Sequence, residues 1–380
     1  MMKFRTAYLF FISSLTMLLA ACNIMQKNKP VFTWEQFAML PNVGGASSLG
    51  YAGPVTGIHN NALIVGGGTN FPVGMPWSGG KKKYYDVAYV LDIKNKQAGF
   101  KEFKLPFTVG YSAVASTIKG VVSVGGEDEN GPIEKAFLIK WENGSLLFET
   151  LPNLPLKLTN AAATVIDNQV YIAGGETNLT ASSFFLKLDL DNKDIGWQEL
   201  KEIPKAVSHF VLLTTGNGKK IYLIGGRKKT ETGISELYNS LYEYDVEKNI
   251  WNAKSPLPYN LCAGTGAIVN GQYIALFGGD KGTTFHKTEQ LINAINTEQD
   301  SIKKQMLNKE KRQLQQSHPG FSNEILLYDI ANDKWVTGGD IPFYVAVTTT
   351  AITVGNNVWV PSGEIKAGVR TPQILRATIK

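Results

Sequence analysis

AAATVIDNQVYIAGG, Ala161–Gly175, reads as two short alternating strands joined by the polar turn Asp167-Asn168 and closed by a glycine pair. The closing strand recurs along the chain. LIVGGG ends at Gly68, VVSVGG at Gly126, VYIAGG at Gly175, IYLIGG at Gly226 and IALFGG at Gly279, with a worn sixth copy, VWVPSG, ending at Gly363. A recurrence of roughly fifty residues is one supersecondary unit copied around a ring, which is read before any conventional core. After each pair comes a third strand, as in LYEYDV at Leu241–Val246. A fourth carries an aromatic such as Trp251 and closes at Leu-Pro or Ile-Pro. Four short strands per unit make a propeller blade, so the fold class expected is all-β, a six-bladed β-propeller.

The Gly-Gly pair with a spaced Tyr-Asp and Trp resembles kelch repeats. Full matches are Tyr244, Asp245, Trp251 and Tyr328, Asp329, Trp335. The sixth unit stops after its third strand, Gln373–Ile379. The missing strand lies at the other end of the chain, in FTWEQFAMLP at Phe32–Pro41, with Trp34 where a blade's last aromatic belongs. The N-terminal strand is therefore expected to complete blade six and remove its open edge.

The domain reading is a signal peptide at 1–21, a linker at 22–30 and the propeller at 31–380. A basic start (Lys3, Arg5), the apolar run Ala7–Leu19 and Leu19-Ala20-Ala21-Cys22 make an export signal. Its end looks like a bacterial lipobox, which implies lipidation of Cys22, a membrane contact through that lipid only, and a periplasmic or outer-membrane location. Cys262 is then left alone, with no disulfide framework, and reads as a small core residue. The 380 residues carry a net charge of +6 with the basic residues scattered, and Lys81–Lys83 is too short a cluster for a nucleic-acid footprint. No oligomeric state is read from the sequence. The four histidines, His59, His209, His286 and His318, have no ligand spacing, so neither metal nor cofactor is expected.

Two links exceed the repeat, both after a Gly-Gly strand. Thr69–Tyr85 is rich in Gly, Pro and Lys. Lys281–Asn323 holds a stretch at near-helical spacing, expected as one or two helices over about 287–317. Because strands alternate direction, links between second and third strands share one face. In a closed ring, blades five, six and one are neighbours, so both insertions and the blade-six link Glu364–Thr371 fall in one sector. Glu follows the small-residue pair at Glu127, Glu176 and Glu364, but six residues further on stand Ile133, Ser182 and Arg370. Blade six is thus expected to be alone in pairing its carboxylate with a guanidinium. Such an Arg grips carboxylates and would keep Glu364 ionised, as a base must be. A structural salt bridge accounts for the same spacing.

GEIKAGVRT, Gly363–Thr371, resembles the active-site loop of bacterial N-acetylneuraminate epimerases (sialic acid mutarotases), which are six-bladed kelch propellers. The similarity extends to GYAGPVTGIHNNALIVGGGTNFP, Gly50–Pro72, and to the blade-five insertion. The order is rotated, as in the cyclically permuted mutarotase group. The resemblance implies an isomerase that interconverts the α and β anomers of N-acetylneuraminate by acid–base ring opening. Glu364 corresponds to the proton acceptor and Arg370 to its neighbouring arginine, which would hold the substrate carboxylate. One positioned base gives roughly 10²–10⁴-fold, enough for a reaction that already proceeds in water. Asn70, Phe71 and Trp77 either line the pocket or form an aromatic lid packed on the adjacent blade. His209 begins an inner strand and is a candidate to look into the channel, and Lys205, where some relatives carry an arginine, is either a point-charge substitute or a solvated surface lysine. The resemblance departs at Pro204-Lys205-Ala206 and Val109-Gly110-Tyr111. His59 is expected on the opposite face, in solvent. The reading from another class is a non-catalytic, lipid-anchored propeller that binds a glycan or partner protein. It predicts Glu364 and Arg370 paired and turned away from the channel, whereas an enzyme needs both on one concavity with open space between them.

Overall fold

A computed structural model describes residues 29–178, 180–215 and 219–380, and the segment containing Cys22 lies outside them. The chain forms six four-stranded antiparallel sheets. Blade one is Val55–His59, Ala62–Gly66, Val87–Asp92 and Lys101–Lys104. In blades two to five the innermost strands begin at Ala113, Ala162, Val211 and Thr265. Blade six consists of Ile352–Val354, Asn357–Pro361, Gln373–Ile379 and, on the outside, the N-terminal Phe32–Met39. Trp34 faces Ala377 in that last ladder and Phe32 faces Ile379, while Val31 and Lys380 exchange backbone hydrogen bonds. The ring is therefore zipped shut by its first strand, with Trp34 edge-on to Phe277 of blade five at 5.3 Å. Among the described residues no helix is long and apolar enough to cross a membrane.

The apolar positions explain why blades stack. One inner-face cluster joins Tyr171 and Phe185 of blade three to Leu212, Ile221 and Tyr244 of blade four. Each full blade-closing Trp packs its ring and donates its N–H backwards: Trp251 to the Lys201 carbonyl at 3.0 Å and Trp335 to that of Ser255 at 2.9 Å. Cys262 is buried as expected, and burial pushes its thiol up to about 12.

The glycine pair has a geometric cause. Gly174 sits at φ 56°, and a Cβ there would lie 2.4 Å from the Val207 carbonyl of the following link. In blade six Ser362 takes this place at φ 55°. Its buried hydroxyl compensates by accepting the Tyr51 N–H at 2.9 Å and donating to the Thr371 carbonyl at 2.8 Å.

The hub is closed by backbone. Gly53, Tyr111, Asn160, His209, Ala263 and Thr348 all have φ between 52° and 62°. Each N–H donates to the carbonyl of the preceding member, and Gly53 donates to Thr348, at 2.7–3.2 Å. Left-handed conformation costs a non-glycine residue about 1–2 kcal/mol, and the circular bonding offsets that cost here.

The blade-five insertion is two helices, α1 (Thr283–Thr297) and α2 (Ser301–Gln316). Helix α1 starts ahead of the expected 287 because tertiary contacts set it. Glu289 accepts the Ser235 N–H at 2.9 Å and its hydroxyl at 2.6 Å, and His286 bonds the Ser235 carbonyl at 2.9 Å. Helix α2 reaches the 3-10 turn Pro76–Ser78 of blade one. The insertion thus spans blades four to one across one face.

Candidate active site

Around the hub, the residue after each small-residue pair bridges to the residue before the hub member. These six positions are Thr69, Glu127, Glu176, Arg227, Asp280 and Glu364. They form a second ring on the face that bears the insertions. Asp280 and Arg227 were missed from the sequence although they stand at the same offset from Gly279 and Gly226.

The expectation that blade six alone pairs its carboxylate with a guanidinium is overturned by Glu176, and Glu127 pairs with a lysine. Glu127 meets Lys82 at 2.7 Å and the Tyr84 hydroxyl at 2.5 Å. Glu176 meets Arg227 of the next blade at 3.5 Å and the Ser208 hydroxyl at 2.7 Å. Within-blade spacing misses these partners because adjacent blades supply them.

Glu364 and Arg370 face each other across a short hairpin, Nη2 to Oε2 at 3.4 Å. The other Glu364 oxygen accepts the Gly368 N–H at 2.8 Å, which ties the carboxylate to its own loop. Arg370 is the more enclosed, with 5% of its side chain exposed against 18% for Glu364. Its Nε reaches the Thr69 carbonyl at 3.4 Å and its guanidinium lies 4.6 Å from the Phe71 ring. Its Nη1 is buried and has no partner, a condition that ordinarily costs about 1–3 kcal/mol or more for a charged group.

Both side chains line one cavity of about 310 Å³, beneath the helical insertion. Its other walls include Asp280 and Phe285 from blade five, His318 and Phe321 after α2, and Phe71 and Pro76 from blade one. Gln315, also on the wall, has a buried unpartnered Oε1. The cavity lies under the blade-five, -six and -one loops. A separate cavity of about 400 Å³, lined by inner strands and hub members, fills the channel.

The remaining candidates divide. Phe71 lines the cavity beneath Arg370. Asn70 is a brace instead: its amide donates to the Gly50 carbonyl at 2.9 Å and its oxygen accepts the Tyr85 hydroxyl at 2.8 Å. Pro76, not Trp77, reaches the cavity wall, and Trp77 packs near Gly368. Lys205 is exposed, its amine 4.9 Å from the Tyr238 ring, because the link it occupies runs past blade four. His209 does border the channel but belongs to the Glu176 cluster rather than to the Glu364 cavity. Burial, and then Arg227, hold its pKa well below 6.5. Arg227 can only donate, so His209 Nε2 accepts at 3.4 Å and Nδ1–H points to the Ser208 oxygen at 3.0 Å. His59 is buried rather than solvated, and its Nδ1 accepts the Trp141 N–H at 3.0 Å.

A protein-family model, N-acetylneuraminate epimerase, matches residues 151–380. The chain belongs to the N-acetylneuraminate epimerase family. It is 28% identical over 227 residues to the N-acetylneuraminate epimerase of Haemophilus influenzae (strain PittEE), covering 59% of this chain and 58% of that one. It is 26% identical over 239 residues to that of Brucella melitensis, covering 62% and 61%. It is 26% identical over 237 residues to that of Salmonella typhi, covering 60% and 58%. The chain thus spans less than two thirds of the length of these relatives. In fold it is similar to the solved structure of YjhT, with a TM-score of 0.61 and 15% identity over 90% of this chain and all of that one.

Proposed function

We propose that this family member is a mutarotase that interconverts the α and β anomers of N-acetylneuraminate. The observation that carries the reading is the Glu364–Arg370 pair on the wall of one cavity, with a buried guanidinium nitrogen left without a partner. The cavity volume is at the small end of the ~300–1,000 Å³ typical of ligand pockets. A carboxylate on the anomeric carbon offers Arg370 the acceptor it lacks, and such a contact places the anomeric hydroxyl near Glu364. Glu364 takes that proton, the ring opens to the ketone, and closure on the other face returns the other anomer. Names shared with relatives at 26–28% identity support the substrate class.

One observation favours the non-catalytic reading: Glu364 and Arg370 contact each other directly, as a structural pair would. Proton NMR of freshly released α-N-acetylneuraminate decides between the two. The mutarotase reading expects wild type to speed anomer exchange and Glu364→Gln to lose roughly 10²–10⁴-fold of that acceleration. Exchange at the buffer rate in both samples refutes it.

We further propose that the mature chain is an exported lipoprotein, periplasmic or outer-membrane associated, anchored through lipid on Cys22. Strand alternation starts Phe32 on the face opposite the cavity, so a tether leaving there would turn the mouth away from the bilayer. Mass spectrometry of the mature N-terminus tests this, and an unmodified or uncleaved terminus overturns it.

A further inference from the structure

The anomer reaction also needs a partner for the ring oxygen, where negative charge develops as the ring opens. On the cavity wall stands an imidazole that the pair does not use. His318 follows α2 and is 5% exposed. Its ring is fixed by the His-Pro-Gly turn: Gly320, at φ 102°, turns its N–H back onto His318 Nδ1 at 3.0 Å. A side chain at position 320 would press on the Tyr344 ring at 3.3 Å, so the turn depends on glycine. An Nδ1 that accepts a backbone N–H carries no proton of its own, so in the neutral ring the proton is on Nε2. Nε2 has no protein partner among the described residues, and it is not one of the enclosed unpartnered atoms. The residue borders the same cavity as Glu364 and Arg370.

The electrostatic surroundings suit a neutral donor. Burial lowers the His318 pKa from 6.5, Asp280 acts to raise it and Lys366 to lower it. Asp280 shares the wall, but one of its oxygens is committed to the Gly282 N–H at 2.7 Å. Phe321 lies against the imidazole at 5.1 Å. A neutral imidazole with a fixed tautomer is a preorganised donor that requires no rearrangement during reaction.

We propose that His318 is a further catalytic residue beside Glu364 and Arg370, whose Nε2–H donates a hydrogen bond to the sugar ring oxygen as the ring opens. This rests on the mutarotase reading. The anomeric hydroxyl proton passes to Glu364. The bond between anomeric carbon and ring oxygen breaks with its electron pair on the oxygen, which takes a proton from water. The resulting hydroxide is neutralised by the proton Glu364 releases. His318 keeps its own proton throughout and holds the developing charge.

The test measures α-to-β exchange of N-acetylneuraminate by NMR with wild type, His318→Leu and His318→Gln, each checked by thermal melting. Loss of one such donor lowers kcat by about 10²–10³-fold. His318→Leu is expected to show that loss with KM little changed, while His318→Gln, which restores an N–H at similar reach, recovers much of it. Nitrogen-15 NMR of wild type is expected to show a proton-free Nδ1 and a protonated Nε2, with only Nε2 moving on titration with the sugar. An active wild type whose kcat survives His318→Leu, or a ring protonated at Nδ1 instead, overturns the assignment alone. A wild type that leaves exchange at the buffer rate overturns it together with the mutarotase reading.

Discussion

Replacing Glu364 by Gln, Arg370 by Met, and both together separates the pair's structural contribution from its chemistry. At 3.4 Å the gross attraction, taken at an effective dielectric of about 20, is roughly 5 kcal/mol. Much of this is cancelled by desolvation, since both groups are largely enclosed. Glu364→Gln keeps an oxygen for the Gly368 N–H, so the loop retains its hydrogen bond. The cost then falls on Arg370, a buried cation left with the Thr69 carbonyl and the Phe71 ring. Removing one partner of such a pair costs about 3 kcal/mol. With Arg370→Met added no uncompensated charge remains, so the double variant should lie about 1–3 kcal/mol above the sum of the single losses. Urea unfolding at pH 7 supplies the four free energies. The double variant should regain stability and remain inactive in the anomer assay, because a base is still missing. Coupling below about 0.5 kcal/mol would show that the two groups do not face each other in solution. Recovery of activity in the double variant would refute Glu364 as the base.

Deleting residues 29–39 opens the edge of the Gln373–Ile379 strand. It should lower the melting temperature and cause association in light scattering, reversible by a peptide of the deleted strand, and an unchanged melting temperature and scattering mass would refute the closure. Ser362→Ala keeps the left-handed backbone but loses the hydroxyl that serves Tyr51 and Thr371, a loss of about 1–3 kcal/mol in urea unfolding. Ser362→Gly, which relieves strain of about 1–2 kcal/mol, should lose less. His209 is held neutral in the fold while the unfolded chain protonates near pH 6.5, so the unfolded state binds more protons below that pH. Its contribution should therefore be full above pH 6.5 and decline as the pH falls toward the depressed native value. His209→Asn should flatten that part of the stability–pH curve, and an identical slope in both proteins would refute the assignment.

The fold was legible because blades advertise themselves locally: alternation, a left-handed turn that only small residues tolerate, and a Trp that donates backwards. Even the strand exchange could be read, since Trp34 stands where the last unit lacks an aromatic. The start of α1 was less legible. Thr283-Thr284 is a weak helix opening, and the docking of Glu289 and His286 on Ser235 overrides it. In the site, the Glu364–Arg370 hairpin was visible because its partners are six residues apart in one loop. The Glu176–Arg227 and Glu127–Lys82 pairs join different blades, so no window along the chain contains them. His318 was read only as one of four histidines without ligand spacing, and what places it and Phe321 on the cavity is the fold of the insertion over blade six.

A repeat presents the same slot six times, so slot identity cannot by itself decide where chemistry occurs. Glu127 and Glu176 occupy the same place as Glu364, but each is engaged by a hydroxyl as well as a cation. Glu364 has a backbone N–H and an arginine held at 3.4 Å. Of the six slots, the Asp280 and Glu364 side lies under the helical roof with a cavity beside it, and that roof brings His318, Gln315 and Phe285. The insertion thus breaks the ring's symmetry: it roofs a cavity onto which Glu364 and Arg370 open, where desolvation strengthens every interaction with a charged ligand. Shortening the α1–α2 hairpin should accordingly leave the propeller folded and abolish anomer exchange, because the cavity beside Glu364 and Arg370 would lose the wall that Phe285, Gln315 and His318 supply. Retained exchange in a folded, hairpin-shortened protein would move the chemistry to another slot.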